Sequence, residues 1–286
     1  MQPVLDTRPS PIAGQWYPGN PQALASRVDA YVAAAELPQI DGEVVAVIAP
    51  HAGHLYSGPV AGYAFAAIRE RSPEIVAVIS PSHYPYPHPL LTTGHEAYET
   101  PLGIIPVAAD AVGALDAVLR RDLGTGLASV KRDPEHSLEI ELPFLQRVLK
   151  GSFQLLPVMV RDPGSFIVQG LGKALATVLA GKNAILVAST DLSHFYPQSS
   201  AEKLDGEMLR RMEAFDPDAV LRAEEEGKGF ACGRAAVAAV LWASSALGAN
   251  AVKILHYATS GAITGDPTQV VGYGAAAVLK SVVRNG

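Results

Sequence analysis

The chain has one cysteine, Cys232, in 286 residues. An internal disulfide is therefore excluded, and with it the small secreted scaffold built on cystine staples. A lone thiol suits a reducing cytoplasm, which is the expected compartment. Charge is scarce as well: 17% of residues are charged, 22 basic against 28 acidic, for a net of −6. Lys and Arg form no cluster, so the phosphate footprint of a nucleic-acid binder is missing. Met1 to Gly14 shows no basic segment followed by an apolar one, and no signal peptide is expected. The longest uncharged run, Ala235 to Val252, is rich in alanine and contains Ser244, Ser245, Gly248 and Asn250. It reads as a buried helix rather than a membrane span.

What the chain does have is apolar residues, 49% of the total, too many for a disordered chain. At this mass folding buries roughly 73% of the surface, enough for a core without staples. Short runs rich in β-branched residues recur at Val44 to Ala49, Ile75 to Ser80, Leu155 to Val160 and Ala184 to Ser189. Such runs predict strands buried on both faces, as a parallel sheet requires. Helical spacing lies between them: Leu24, Val28, Tyr31 and Val32 after Pro21; Val60 to Ile68; Val112 to Leu119; Ile167 to Leu179. Val252 to Ala258 and Gln269 to Leu279 read as a C-terminal hairpin, so the sheet is expected to be mixed. The expectation is a single α/β domain over residues 1–286, a central mixed and largely parallel sheet with helices on both faces.

The chemistry gathers at strand ends. The first run leads into Pro50-His51-Ala52-Gly53-His54, the second into Pro81-Ser82-His83, and the fourth into Thr190-Asp191-Leu192-Ser193-His194. Parallel strands bring such ends to one edge, where open α/β sheets bind ligands. Cys232 sits before the apolar helix from Ala235, where unpaired N–H groups and the helix dipole favour thiolate. Two imidazoles and a thiolate, His51, His83 and Cys232, make a three-ligand transition-metal set with an open position. Asp191 and His194 then read as groups for orientation or proton transfer. His136 and Glu139, three apart before an apolar helix ending near Leu149, are expected on one helix face. His88, His95 and His256 lack strand-end placement and read as structural. No glycine-rich phosphate loop, GxSxG elbow or HExxH motif is present.

In order, these residues resemble the Memo family, whose prokaryotic members are called AmmeMemoRadiSam system protein B. The resemblance rests on Ala13-Gly14-Gln15-Trp16-Tyr17-Pro18, Ala49-Pro50-His51-Ala52-Gly53 with Tyr56-Ser57-Gly58, Pro81-Ser82-His83, and Thr100-Pro101-Leu102-Gly103. It continues through Glu135-His136-Ser137-Leu138-Glu139, Leu142-Pro143-Phe144, Ser189 to His194, Cys232-Gly233-Arg234, Tyr257 to Gly261 and Val271-Gly272-Tyr273. The resemblance implies a fold like that of class III extradiol ring-cleaving dioxygenases. It puts His51 and His83 on the histidine ligands, His194 on the acid/base histidine, and Cys232 where those dioxygenases carry a glutamate. Iron or copper is implied as the metal, with zinc as a further option. Tyr84 stands where many relatives have a second histidine, and His54 where an aromatic residue is common. His54, Tyr84, His136 and Glu139 are accordingly expected to line the pocket or steady the ligands. Four readings stay open: a Memo-type redox or metal-handling protein, an extradiol dioxygenase on a catechol-like substrate, a non-catalytic module for a partner peptide, and a cysteine hydrolase using Cys232, His194 and Asp191. A small-molecule or peptide ligand is expected, but neither nucleic acid nor membrane.

Overall fold

Side chains alternate between two cores along each apolar run, which makes these runs the centre of a sheet covered on both faces. The computed structural model describes residues 5–281. In chain order the elements are β1 (Thr7–Arg8), α1 (Pro21–Ala34), β2 (Glu43–Ala49), α2 (His54–Ala66), β3 (Ile75–Pro81), β4 (Leu90–Thr93), β5 (Ala97–Thr100), β6 (Gly103–Pro106), α3 (Ala109–Leu123) and β7 (Ala128–Val130). A 3-10 turn (Glu139–Glu141) leads into α4 (Leu142–Val148), then β8 (Gln154–Val160), α5 (Ser165–Leu179), β9 (Ala184–Ser189) and β10 (His194–Tyr196). The chain continues through α6 (Gln198–Glu213), α7 (Pro217–Arg222), α8 (Arg234–Ala246), β11 (Ala251–Thr259), α9 (Gly261–Thr264) and β12 (Val270–Lys280).

The main sheet has nine strands in the order β10-β12-β2-β9-β3-β8-β4-β7, with β11 on β12. Its centre, β2-β9-β3-β8, is parallel. Antiparallel pairings flank it, β12 on β2 at one side and β4 on β8 at the other. The expected hairpin is β11 and β12, paired from Ala251↔Leu279 to Thr259↔Gly272. Val45, Ile48, Ala77, Ile79, Leu156, Val158 and Leu186 pack into one core with α3, α5 and α8. Val44, Val47, Val76, Val78, Leu155, Ile185 and Val187 pack into the other, under α1, α2 and α4. The fold is the expected mixed α/β sheet between helical layers.

Local signals behave as their chemistry requires. Asn20 caps α1 by accepting from the Ala23 N–H at 2.9 Å, Pro21 stands in the first turn, and Leu24, Val28 and Val32 form the buried face. Gly124 ends α3 in the left-handed conformation at φ 70°. Two expectations need correction. The helix expected around His136 and Glu139 does not begin until the 3-10 turn at Glu139, so these two residues share no helix face. The Glu135 carboxylate accepts the N–H groups of His136 and Ser137 at 3.0 Å each, folding this stretch as a turn. The run from Ala235 divides at Ala246, where α8 ends and β11 follows from Ala251. Among the described residues no helix is long and apolar enough to cross a membrane.

Candidate metal centre

In-register parallel pairing, such as Ala49 beside Ser189 and Ile79 beside Ala188, brings the carboxyl ends of β2, β9 and β3 to one edge. His51 leaves β2 there and is 1% exposed. Its backbone N–H donates to Asp191 Oδ1 at 2.7 Å, its ring Nδ1 lies 2.9 Å from Ser189 Oγ, and its Nε2 lies 3.1 Å from Cys232 Sγ. His83 follows β3, with its N–H donating to Glu135 Oε2 at 2.6 Å and its Nδ1 2.9 Å from Glu135 Oε1. His136 stacks on His83 with ring centroids 4.8 Å apart, and Trp16 covers it from 4.1 Å. One nitrogen each from His51, His83 and His136 lies within 4.8 Å of the other two. Sequence reasoning set His136 beside the expected ligands; the fold brings its ring together with those of His51 and His83.

Cys232 precedes α8 and donates its N–H to the Asp191 carbonyl at 3.2 Å. Gly233 permits this approach: a Cβ there would lie 2.2 Å from the Ser189 carbonyl oxygen, and its N–H donates to Thr190 Oγ1 at 2.9 Å. The thiolate expected from the helix start is not favoured. Burial, reinforced by the nearby Asp191 charge, pushes the Cys232 thiol well up. A cation at the sulfur is the kind of partner that reverses this order.

A family model described as Memo-like protein matches residues 8–277, which span the whole constellation. The chain belongs to the Memo family. It is 32% identical to a MEMO1 family protein of Nitrosopumilus maritimus over 92% of this chain and 96% of the relative. It is 34% identical to a MEMO1 family protein of Methanopyrus kandleri and 33% identical to one of Thermotoga neapolitana, each over 92% of this chain and 96% of the relative. The mixed sheet between helical layers is consistent with the extradiol dioxygenase-like fold that the resemblance implies.

The donor set in this Memo-family chain fits a transition metal. Burial, then the neighbouring His136 and His83, hold the His51 imidazole far below its ordinary pKa. Burial likewise lowers His136 to about 4. Neutral rings keep lone pairs for a metal. Two of the three rings also have an outer partner, Ser189 for His51 and Glu135 for His83, as ligand histidines generally do. Burial alone would raise the Glu135 carboxyl, but hydrogen bonds and charge from His83 with the Ser137 N–H hold it at about 2. A cavity of about 240 Å³ opens beside this group, lined by His83, Cys232, Arg161, Arg234 and Ala235 among others.

The remaining candidates divide. Asp191 is buried and pushed up to about 7 by desolvation, against the N–H groups of His51 and Ala52 that pull it down. His194 opens β10 with its ring 5.9 Å from Phe195 and 5.5 Å from Phe230, and burial lowers its pKa. Its buried Nδ1 has no hydrogen-bond partner among the described residues. His54 turns instead to the Ile140 carbonyl at 3.0 Å and to the rings of Tyr17 and Phe144, and none of these contacts reaches the three imidazoles. Tyr84 is exposed. Glu139 takes hydrogen bonds from Arg8, Ser10 and Tyr17, tying the N-terminal segment down. His95 is structural as expected, bound to Asp6 and to the Arg132 N–H. The sequence reasoning assigned no role to Glu135, Ser189 or Glu141; for the two glutamates, an acid in or beside an apolar run is the signal that was available, and for Ser189 its place at the end of a strand run.

Proposed function

We propose that this protein is a metal-binding redox protein in which His51, His83 and Cys232 hold an iron or copper ion and His136 presents a further imidazole. The observation that carries this reading is the convergence of three imidazole nitrogens within 4.8 Å, with the Cys232 sulfur 3.1 Å from His51 Nε2. A bound iron or copper ion would supply a redox couple and a Lewis-acid position for a small ligand. The chain's own residues supply the rest. Asp191 holds the loop of His51 through two backbone N–H groups, at 2.7 and 3.2 Å. Glu135 orients His83, and its contacts to the N–H groups of His136 and Ser137 fix the turn that carries His136. His194, whose ring lies beside those of Phe195 and Phe230, is the group we assign to proton transfer. The cavity beside His83 and Cys232 gives a small molecule its approach. A ligand thiol needs reducing surroundings, which supports a cytoplasmic setting.

Metal analysis of anaerobically purified protein tests the reading. Stoichiometric iron or copper is expected in the wild type and loss of it in His51→Ala. Equal content in those two overturns the site. Equal content in wild type and Cys232→Ala removes the cysteine from the ligand set, and His136→Ala examines the third imidazole in the same way. Oxygen uptake with Fe(II) and a catechol panel separates a ring-cleaving enzyme from a redox or metal-handling protein. Peptide capture that survives His51→Ala would instead mark a metal-independent binding module.

A further inference from the structure

Behind His51 lies a group of polar atoms sealed from solvent. Ser137, Ser189 and Glu141 are 0% exposed and His51 is 1% exposed. Ser189 Oγ lies at their centre, 2.8 Å from the Ser137 carbonyl oxygen, 2.5 Å from Glu141 Oε1 and 2.9 Å from His51 Nδ1. A serine hydroxyl has one proton to give and two lone pairs to fill. The Ser137 carbonyl can only accept, so the one hydroxyl proton belongs to it. The other two neighbours must then donate: His51 through Nδ1–H, and Glu141 through a carboxylic acid O–H. An ionised Glu141 would compete for the same proton and leave two acceptor oxygens facing each other. The far oxygen of Glu141, Oε2, is buried with no hydrogen-bond partner among the described residues. That is tolerable for the carbonyl of a neutral acid and costly for half of a carboxylate. Burial and the nearby Asp191 charge push the Glu141 carboxyl in the same direction, while the Ser189 bond opposes them.

We infer that Glu141 is a buried neutral acid which, through Ser189, locks His51 in the Nδ1–H tautomer and so aims the Nε2 lone pair at Cys232. Glu141 is thus a positioning residue, and in the metal-free protein the Cys232 S–H donates to His51 Nε2. The proton assignment needs no metal; its bearing on affinity rests on the metal site proposed above.

The test starts with metal-free protein. The infrared difference spectrum between wild type and Glu141→Gln is expected to show loss of a protonated carboxylic acid band. Nitrogen-15 NMR of labelled histidine is expected to find the His51 proton on Nδ1. Glu141→Gln should keep that tautomer, since its amide N–H can donate to Ser189 Oγ, whereas Glu141→Leu and Ser189→Ala should release it. In metal titrations with Fe(II) or Cu(I), Ser189→Ala is expected to bind about 10- to 100-fold more weakly, and Glu141→Gln much nearer to wild type. Loss of carboxylate rather than acid bands, or a His51 proton on Nε2, overturns the inference. Equal affinity in wild type and Ser189→Ala overturns the positioning role. Failure of the wild type to take up metal would sink the proposed function while leaving the band and the tautomer as evidence for the proton chain.

Discussion

His54→Phe should reverse its effect on stability between pH 7 and pH 5. His54 is 2% exposed, and burial lowers its pKa to about 4 from an ordinary 6.5. Between those values the unfolded chain binds a proton at this residue and the folded chain does not, so native stability falls as the pH drops through that window. With one pKa unit equal to 1.36 kcal/mol, the loss is about 2 kcal/mol at pH 5 and about 3 kcal/mol at pH 4. Phenylalanine keeps the aromatic packing against Tyr17 and Phe144 but gives up the hydrogen bond to the Ile140 carbonyl. That loss costs about 1 kcal/mol, independent of pH. The variant should therefore be less stable than wild type at pH 7 by about 1 kcal/mol and more stable at pH 5 by a similar amount, with the crossing between pH 5 and 6. Urea unfolding of both proteins at pH 7, 6 and 5 measures this directly. His51 and His136 titrate in both proteins, so the difference isolates His54. A constant gap between the two proteins across that range would refute the account of His54 as a buried neutral imidazole.

Arg8→Met leaves the buried Asp133 and Glu139 carboxylates without their cation, and should cost about 3–5 kcal/mol. Thermal unfolding reads this as a fall of roughly 6–15 °C, and adding Asp133→Asn and Glu139→Gln should restore part of it. Gly233→Ala should cost about 1–3 kcal/mol, because the new Cβ meets the Ser189 carbonyl at 2.2 Å. The same change should lower metal uptake by displacing Cys232, and an unchanged urea midpoint would contradict the close approach of α8 to β9.

The parts of the fold that could be read from sequence are those whose physics is local. The apolar runs at Val44, Ile75, Leu155 and Ala184 are each long enough to alternate between two cores, and each became a strand within one residue of its expected bounds. The helices announced themselves by spacing and by caps such as Asn20-Pro21. The two-residue β1 and the three- and four-residue β4 to β7 carry too little pattern to register a period. Their cause is tertiary: Arg8 in β1 is drawn inward by Asp133 and Glu139, more than 120 residues away. The late start of α4 has the same origin, since the Glu135 side chain binds the N–H groups of the residues that follow it.

The site divides along the same line. That His51 and His83 lie together could be read because a strand end is visible in sequence and parallel strands share an edge. His136 could not be drawn into the group, because its position depends on one carboxylate joining two loops. Glu135 accepts from both the backbone and the ring of His83, 52 residues away, as well as from His136. Composition reported few charges without saying which are buried. Among the described residues six acids are, namely Asp133, Glu135, Glu139, Glu141, Asp191 and Asp205. Four of them support the histidines: Glu135 holds His83, Asp191 the loop of His51, Glu141 the serine behind His51, and Asp205 the Ser193 N–H next to His194. A buried acid is costly and is retained where it satisfies hydrogen-bonding partners that nothing else does. Here those partners are the backbone groups, the His83 ring and the Ser189 hydroxyl that position the histidines. In a chain this poor in charge, the buried acids mark the site as clearly as the histidines do, but only once the fold has shown which acids are buried.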